Sequence, residues 1–270
     1  GGPSTGLPTK TEQSDLNQAL YGRNGECPMV VIAASSPSDC FHYAFMAGKI
    51  AMEHMTPVML LSDGFIANGS EPWKIPSMAD YPAIVPPIVE PREGEEFLPY
   101  ARNEKLARGW AFPGKAGLQH RIGGLEKDHL RGTISHDPKN HQEMVTTRKR
   151  KVELVAEELP ELKVFGAEEA DVLVVGWGGT RGHLHSAVQQ LQEEGKSVAH
   201  LHFNYIYPMQ KGVADILKRY KRIVVCELNE GQFANYLRQQ FTDVVIESYG
   251  KTEGQPFTVI EIKEKVNSML

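Results

Sequence analysis

Three cysteines in 270 residues, at positions 27, 40 and 226, are too few and too scattered to staple a fold. They form no CxxC pair, which excludes a disulfide framework. They also fall short of the four thiolates that an iron–sulfur cluster usually requires, so this chain alone is not expected to hold one. Cys40 and Cys226 read as small core residues. Positive charge is in short supply: 29 Lys and Arg stand against 34 Asp and Glu, giving a formal net charge of −5. No global field exists to draw in nucleic acid or an anionic membrane. No apolar run approaches the ~18–20 residues of a membrane span, and no signal peptide is visible. The sparse thiols fit a reducing cytoplasm. GxSxG, Walker A and HExxH patterns are all missing, so no nucleophile is paired with a base and no catalytic residue is assigned.

What remains is an ordinary globular composition, 41% hydrophobic and 23% charged, with length for one or two domains at roughly 100–200 residues each. Met29 to Ala34 is a continuous apolar run, the pattern of a strand buried on both faces. After it, Ser36 is placed to cap a helix, Pro37 suits the first helical position, and Asp39 complements the positive helix end. The stripe Phe41, Ala44, Phe45, Gly48, Ala51, Met52 and Met55 has helical spacing and predicts the buried face. Pro57 to Leu61 is a second strand. Strand, helix and strand in so short a span make a βαβ unit and hence a parallel sheet.

Between Ser70 and Lys139 the character changes. Prolines recur at 72, 76, 82, 86, 87, 91, 99, 113 and 138 with no clear period, predicting an irregular excursion laid over another surface, such as a partner subunit. A charged helix follows over about 140–158. Its Arg148-Lys149-Arg150-Lys151 run is followed by Glu153, Glu157 and Glu158, and reads as a solvated face rather than a nucleic-acid patch. From 171 onward strands alternate again with helices: Val172–Val175, Ser197–Phe203, Ile223–Leu228 and Val244–Glu247. Thr258 and Glu261 form a capping box for the last helix. The fold class is therefore α/β, with two lobes built from parallel βαβ units.

Four patterns carry candidate chemistry. Gly176-Trp177-Gly178-Gly179-Thr180-Arg181-Gly182 follows a strand and opens a helix, the context of a dinucleotide-binding turn. Phe203-Asn204 stands where a ribose-binding acid belongs, and the Trp177 indole would crowd the turn, so the plainer reading is a tight glycine turn. His183 with His185, and His200 with His202, are HxH pairs. On a strand, i and i+2 share a face, but no further ligand stands out, so no metal site is assigned and hydrogen-bonded surface or interface histidines are expected. Asp63, at a strand end, occupies the usual position of a ligand site in a parallel sheet. The opening segment, Gly1 to Leu16, gathers hydroxyls, an amine and glycines suited to a carboxylate or phosphate, and a solvated loop would have the same composition.

The sequence GGPSTGLPTKTEQSDL, followed by ALYGRNGECP and LLSDGFIANGSEPWKIP, strongly resembles the alpha subunits of 2-oxoacid:ferredoxin oxidoreductases of the 2-oxoglutarate type. Arg121 to Glu126 and His141 to Lys151 extend the resemblance to essentially the whole chain. It implies an enzyme that converts 2-oxoglutarate and coenzyme A to succinyl-CoA and carbon dioxide while reducing ferredoxin. Thiamine diphosphate, Mg and an iron–sulfur cluster would serve the complete enzyme, with the metal, the diphosphate and the cluster held by a beta subunit. Residues 1–95 would be the latter half of a pyrimidine-binding-like thiamine domain, 96–164 a connecting region with a charged helix, and 165–270 a transketolase C-terminal-like domain. The chain begins with Gly1 rather than Met, and the glutamate that activates the cofactor is expected before it. The fragment alone is then expected to bind no cofactor and to be inactive. Ser4, Thr5 and Lys10 are the expected substrate-binding residues, with Lys10 as a point charge and the hydroxyls as neutral donors; the Gly22 to Glu26 run is expected near the site. Two other readings are a stand-alone α/β interaction module and a nicotinamide-dependent oxidoreductase using the glycine turn.

Overall fold

A computed structural model describes residues 6–7 and 10–270. Helix α1 (Leu16–Tyr21) precedes strand β1 (Val30–Ala33), helix α2 (Pro37–His54), strand β2 (Val58–Leu61) and the short helix α3 (Gly64–Asn68). After a long irregular stretch come helix α4 (Pro138–Glu153), β3 (Val164–Phe165), β4 (Val172–Trp177), α5 (Arg181–Glu193), β5 (Val198–Phe203) and β6 (Tyr205–Tyr207). The chain closes with α6 (Val213–Leu217), β7 (Arg222–Glu227), α7 (Gln232–Gln240), β8 (Ile246–Gly250) and α8 (Val259–Asn267).

Local chemistry set many of these boundaries as the sequence predicts. The Ser36 hydroxyl accepts a hydrogen bond from the Asp39 amide at the start of α2, with Pro37 in the first turn. Thr258 and Glu261 complete a reciprocal capping box on α8. Helix α1 begins only at Leu16, because the preceding stretch is drawn out to bond with distant segments.

The strands form two sheets, β2-β1-β6 and β3-β5-β4-β7-β8. β1 and β2 are parallel, with Val30 opposite Val58. In the larger sheet β5, β4, β7 and β8 are mutually parallel, and β3 adds an antiparallel edge. β6 was not visible in the sequence. It leaves β5 after a single residue, Asn204, crosses to the smaller sheet and pairs antiparallel with β1. Asn204 fastens the crossing: its side-chain amide donates to the Ala33 carbonyl at 2.8 Å, and its carbonyl accepts from the Ala33 amide at 2.7 Å.

One core runs between the sheets. Leu173, Val175 and Trp177 face α7 and meet Leu16, Val31 and Ala33 from the smaller sheet. Val172 and Val174, on the opposite face of β4, pack on Leu184, Val188 and Leu191 of α5 and on Ile262 and Val266 of α8. This alternation is the period-two signature of a strand covered on both faces. β2 is an edge strand and only half-buried.

Helix α2 corrects the expected face. Its predicted apolar stripe points outward: Phe41 and Met52 are exposed, while Ile50, Glu53 and His54 are buried. The irregular segment covers part of that stripe. Trp73 and Tyr81 lie against the Phe41 ring at 5.3 and 5.9 Å, and the Trp110 indole donates to the Met52 carbonyl at 2.7 Å. The excursion thus lies across its own chain. The buried acid on the inner face is satisfied, since Glu53 accepts from the Val85 amide and from Lys49 and faces Lys105 at 3.5 Å.

Candidate functional site

Residues 10–16 come to rest at the carboxyl ends of both sheets, held there by Gln13. In the larger sheet, β4 connects through α5 to β5 on one side, while β7 lies on its other side. Such a reversal opens a crevice between the carboxyl ends of β4 and β7, where open α/β sheets commonly bind ligands. Gln13 fills that crevice. Its amide donates to the Trp177 carbonyl at 2.7 Å and its oxygen accepts from the Leu228 amide at 2.9 Å. Its backbone bonds Leu228 as well, and Asn229 donates to its carbonyl at 2.9 Å. Thr11 joins Gly254, and Gln232 bonds both Ser14 and Asn17.

Asp63 closes the other anion position. One carboxylate oxygen caps α3 by accepting from the Ile66 amide at 3.0 Å. The other accepts from the Gly179 amide at 3.2 Å, at the head of α5. A Cβ on Gly179 would lie 2.2 Å from that oxygen, so glycine is needed for the two lobes to approach here. Gly178 takes φ +55 against the Gln13 amide. The Trp177 indole does not crowd the turn, because it points inward and donates to Glu227 at 3.2 Å. The glycine motif is therefore an internal joint. Its N–H group and its crevice are taken by the chain's own carboxylate and amide, which corrects the nicotinamide reading. A cavity of about 40 Å³ remains between Gln13, Ala34, Asp63 and Gly178, room for a water or two rather than a cofactor.

Among the expected substrate-binding residues, Ser4 and Thr5 lie outside the described residues. Lys10 is exposed at the rim of this joint. Its carbonyl sits against Gly64 and its side chain against Gly254, where added Cβ atoms would come within 2.9 Å. Arg23 has another role than the site: its guanidinium turns back onto the Leu20 and Cys27 carbonyls and caps the end of α1. Cys226 is buried in the core and its thiol is pushed up by burial, Cys40 is half-buried, and Cys27 is exposed.

His200 and His202 do share a face, as their spacing predicts, and they open with His185 onto a cleft between α2 and β5. His200 Nε2 and both ring nitrogens of His202 are buried without a partner. The rings instead pack edge to face, His185 on His200 at 6.1 Å and His200 on His202 at 5.7 Å. Among the described residues no group of three His, Cys, Asp or Glu could hold a metal. Burial is the main cause that lowers the His200 pKa to about 3. The unfolded chain takes up that proton near the ordinary 6.5, so the stabilisation is complete above 6.5 and is lost as pH falls toward 3. Stability should fall by about 1.4 kcal/mol per pH unit for this residue across that window. His200→Phe should flatten the slope in acid-titrated urea melts, and an unchanged slope would refute the assignment.

Relatives of the chain agree with this architecture. The profile of the pyruvate flavodoxin/ferredoxin oxidoreductase thiamine-diphosphate-binding family matches residues 1–136, and that of pyruvate:ferredoxin oxidoreductase core domain II matches residues 170–262. The 2-oxoglutarate oxidoreductase subunit KorA of Mycobacterium tuberculosis is 47% identical over 272 residues, covering 100% of this chain and 41% of that protein. The alpha subunit of 2-oxoacid:ferredoxin oxidoreductase 1 of Aeropyrum pernix is 32% identical, covering 92% and 38%. The chain thus spans about two fifths of the length of these curated relatives. The solved 2-oxoglutarate:ferredoxin oxidoreductase of Magnetococcus marinus, with 2-oxoglutarate, coenzyme A and succinyl-CoA bound, superimposes with a TM-score of 0.92 at 31% identity, covering 100% of this chain and 47% of that one. With just over half of its residues inside the first profile, the chain belongs to the pyruvate flavodoxin/ferredoxin oxidoreductase thiamine-diphosphate-binding family.

Proposed function

We propose that this chain is the C-terminal part of the alpha subunit of a 2-oxoacid:ferredoxin oxidoreductase that converts 2-oxoglutarate and coenzyme A to succinyl-CoA and carbon dioxide. Ferredoxin takes the electrons, the reaction belongs to the cytoplasm, and this part is inert by itself. The observation that carries the reading is the whole-chain superposition on the Magnetococcus enzyme, at 31% identity. No described helix is long and apolar enough to cross a membrane. The division at 1–95, 96–164 and 165–270 belongs to the same proposal.

Thiamine diphosphate supplies the carbon chemistry of such an enzyme. The glycine turn and the sheet crevice offer no cradle for a diphosphate and its metal, because Gln13 occupies the crevice and Asp63 the head of α5. We therefore assign no step of that chemistry to them. The diphosphate, its metal and the iron–sulfur cluster fall to the beta subunit in this reading. Exposed Ile75, Val85 and Ile122 on the irregular segment, at 80, 70 and 83% accessibility, support a partner docking there.

Ser4, Thr5 and Lys10 are the proposed contacts to the 2-oxoacid carboxylate; of the three, Lys10 is described, at the rim of the joint that Gln13 closes. The test is co-expression of the full-length alpha subunit with its beta partner and an assay of coenzyme A-dependent viologen reduction with 2-oxoglutarate. Turnover is expected. Lys10→Ala and Thr5→Ala should each raise KM for the oxoacid, about tenfold for the lysine, with a smaller change in kcat. A folded complex that turns over no 2-oxoacid would remove the oxidoreductase reading and leave the interaction module.

A further inference from the structure

The Arg148-Lys149-Arg150-Lys151 run is not a uniformly solvated face. Lys149 and Arg150 are exposed, but Arg148 and Lys151 turn inward with Met144 and Thr147, the i, i+3, i+4, i+7 face of α4. There they meet Arg102 and Arg108, which oppose each other across an isolated antiparallel bridge. With Met55 and Tyr100, these groups line a pocket of about 450 Å³, within the ~300–1,000 Å³ range of small-ligand sites.

The four cations have no carboxylate within ion-pair distance among the described residues. Elsewhere basic groups find acids readily: Lys105 reaches Glu158 at 2.7 Å and Arg222 reaches Glu247 at 2.7 Å. Here backbone carbonyls, a ring and, at longer range, the Glu143 carboxylate compensate the charge. Arg102 donates to the Tyr100 carbonyl at 3.0 Å, Lys151 donates to the Met55 carbonyl at 2.7 Å, and Arg108 lies 4.1 Å from the centre of the Tyr100 ring. Like charges placed opposite one another destabilise a strand pair. Burial, and then Arg102, Arg108 and Arg148, bring the Lys151 pKa down to about 8. An anion in the pocket would relieve all four groups.

Two further lining groups are already engaged. Lys127 is saturated by the Gly123, Gly124 and Leu125 carbonyls at 2.8, 2.6 and 2.7 Å, so it shapes the loop. Glu126 gives one carboxylate oxygen to His141, and its Oε1 is closed to solvent. The class of anion is then set by the cations: three guanidinium forks and an ammonium match the several oxygens of a phosphate. We propose that this pocket, between the 100–108 loop and α4, binds a phosphate-bearing small ligand. The inference does not rest on the activity proposed above, since it concerns binding alone.

The experiment is calorimetric titration of the intact protein, in the assembly in which it is made, with inorganic phosphate and then with sulfate at low ionic strength. Saturable phosphate binding is expected, with sulfate competing at the same residues. Arg148→Gln should weaken it about tenfold, while Arg150→Gln on the exposed side of the same helix changes it by less than about twofold. Titration with adenosine diphosphate separates a nucleotide ligand from free phosphate by its tighter binding at the same residues. Equal, unsaturated heats for phosphate and sulfate, or equal losses in the two arginine variants, would overturn the proposal. Carbodiimide coupling of Lys151 to a carboxylate of another segment would also overturn it, because the pocket would then be filled by protein.

Discussion

Glu227→Ala is expected to cost the fold roughly 3–9 kcal/mol, because three buried donors lose their acceptor at about 1–3 kcal/mol each. Glu227 ends β7 with no solvent exposure. Its Oε2 accepts from the Phe233 amide at 2.9 Å and the Trp177 indole at 3.2 Å, and its Oε1 accepts from the Ala234 amide at 3.0 Å. The N-cap of α7 is Gly231, which has no side chain to offer, so the carboxylate at the end of the preceding strand serves as the cap. Glu227→Gln should lie between alanine and the native residue, since whichever way the amide is turned its NH2 faces a donor. Burial raises this carboxyl's pKa above the ordinary 4.5, against the opposing hydrogen bonds. A raised folded value means a contribution that is full below 4.5 and lost as pH rises through the folded pKa. The deficit of the Gln variant should thus narrow as pH rises across that window. Urea midpoints for the three proteins test both points; equal midpoints for Ala and Gln would show that the donors find other acceptors.

This carboxylate also shows what a sequence does and does not display. The strands β1, β4 and β7 were legible because continuous apolar runs have few other uses in a globular chain. The caps at Ser36 and Thr258 were legible because their partners lie three residues away. Glu227 carried no such mark, since its donors are fixed only when α7 folds back over β7. β6 was hidden for a related reason. Three residues follow β5 with only Asn204 between, no turn signal separates them, and their partner β1 lies far away in the chain.

The face of α2 was misread because periodicity gives a helix's phase but not its surroundings. The buried side carries Glu53 and His54, tolerable only because Val85, Lys49 and Lys105 come to meet the acid. The outward stripe is apolar because Trp73, Tyr81 and Trp110 lie upon it. The basic run on α4 was misread in the same way: two of its four residues are solvated, as composition suggests, and two are turned inward to Arg102 and Arg108 by the helical phase. At the candidate site the opening segment drew attention by its composition, yet Gln13, which positions it, looked like one more polar residue. Nothing local distinguishes a glutamine that closes a sheet crevice from one in a loop.

Gln13→Leu is the sharpest test of that positioning. The substitution keeps the bulk but leaves the Leu228 amide without its acceptor and the Trp177 carbonyl with the Thr180 hydroxyl as its remaining side-chain donor, an expected loss of roughly 1–4 kcal/mol. Gln13 is 4% exposed, so water does not readily replace it. Gln13→Glu should be comparably damaging, since a carboxylate can keep the Leu228 bond but meets the Trp177 carbonyl lone pair to lone pair and brings a charge into the crevice. Gly178→Ala should act in the same direction from the other side of the contact: the added Cβ would stand 2.9 Å from the Gln13 amide at a φ of +55. In the assembled enzyme of the proposed reaction, the segment carrying Lys10 would be released from the junction of the lobes. The loss should then fall on KM for 2-oxoglutarate more than on kcat, because the segment is assigned to holding substrate and no step of the bond chemistry. Steady-state kinetics at a temperature where the variants remain folded separates the two. A variant with lowered stability and native KM would make Gln13 a structural clasp alone, whereas parallel rises in KM for Gln13→Leu, Gly178→Ala and Lys10→Ala would tie the clasp to the substrate.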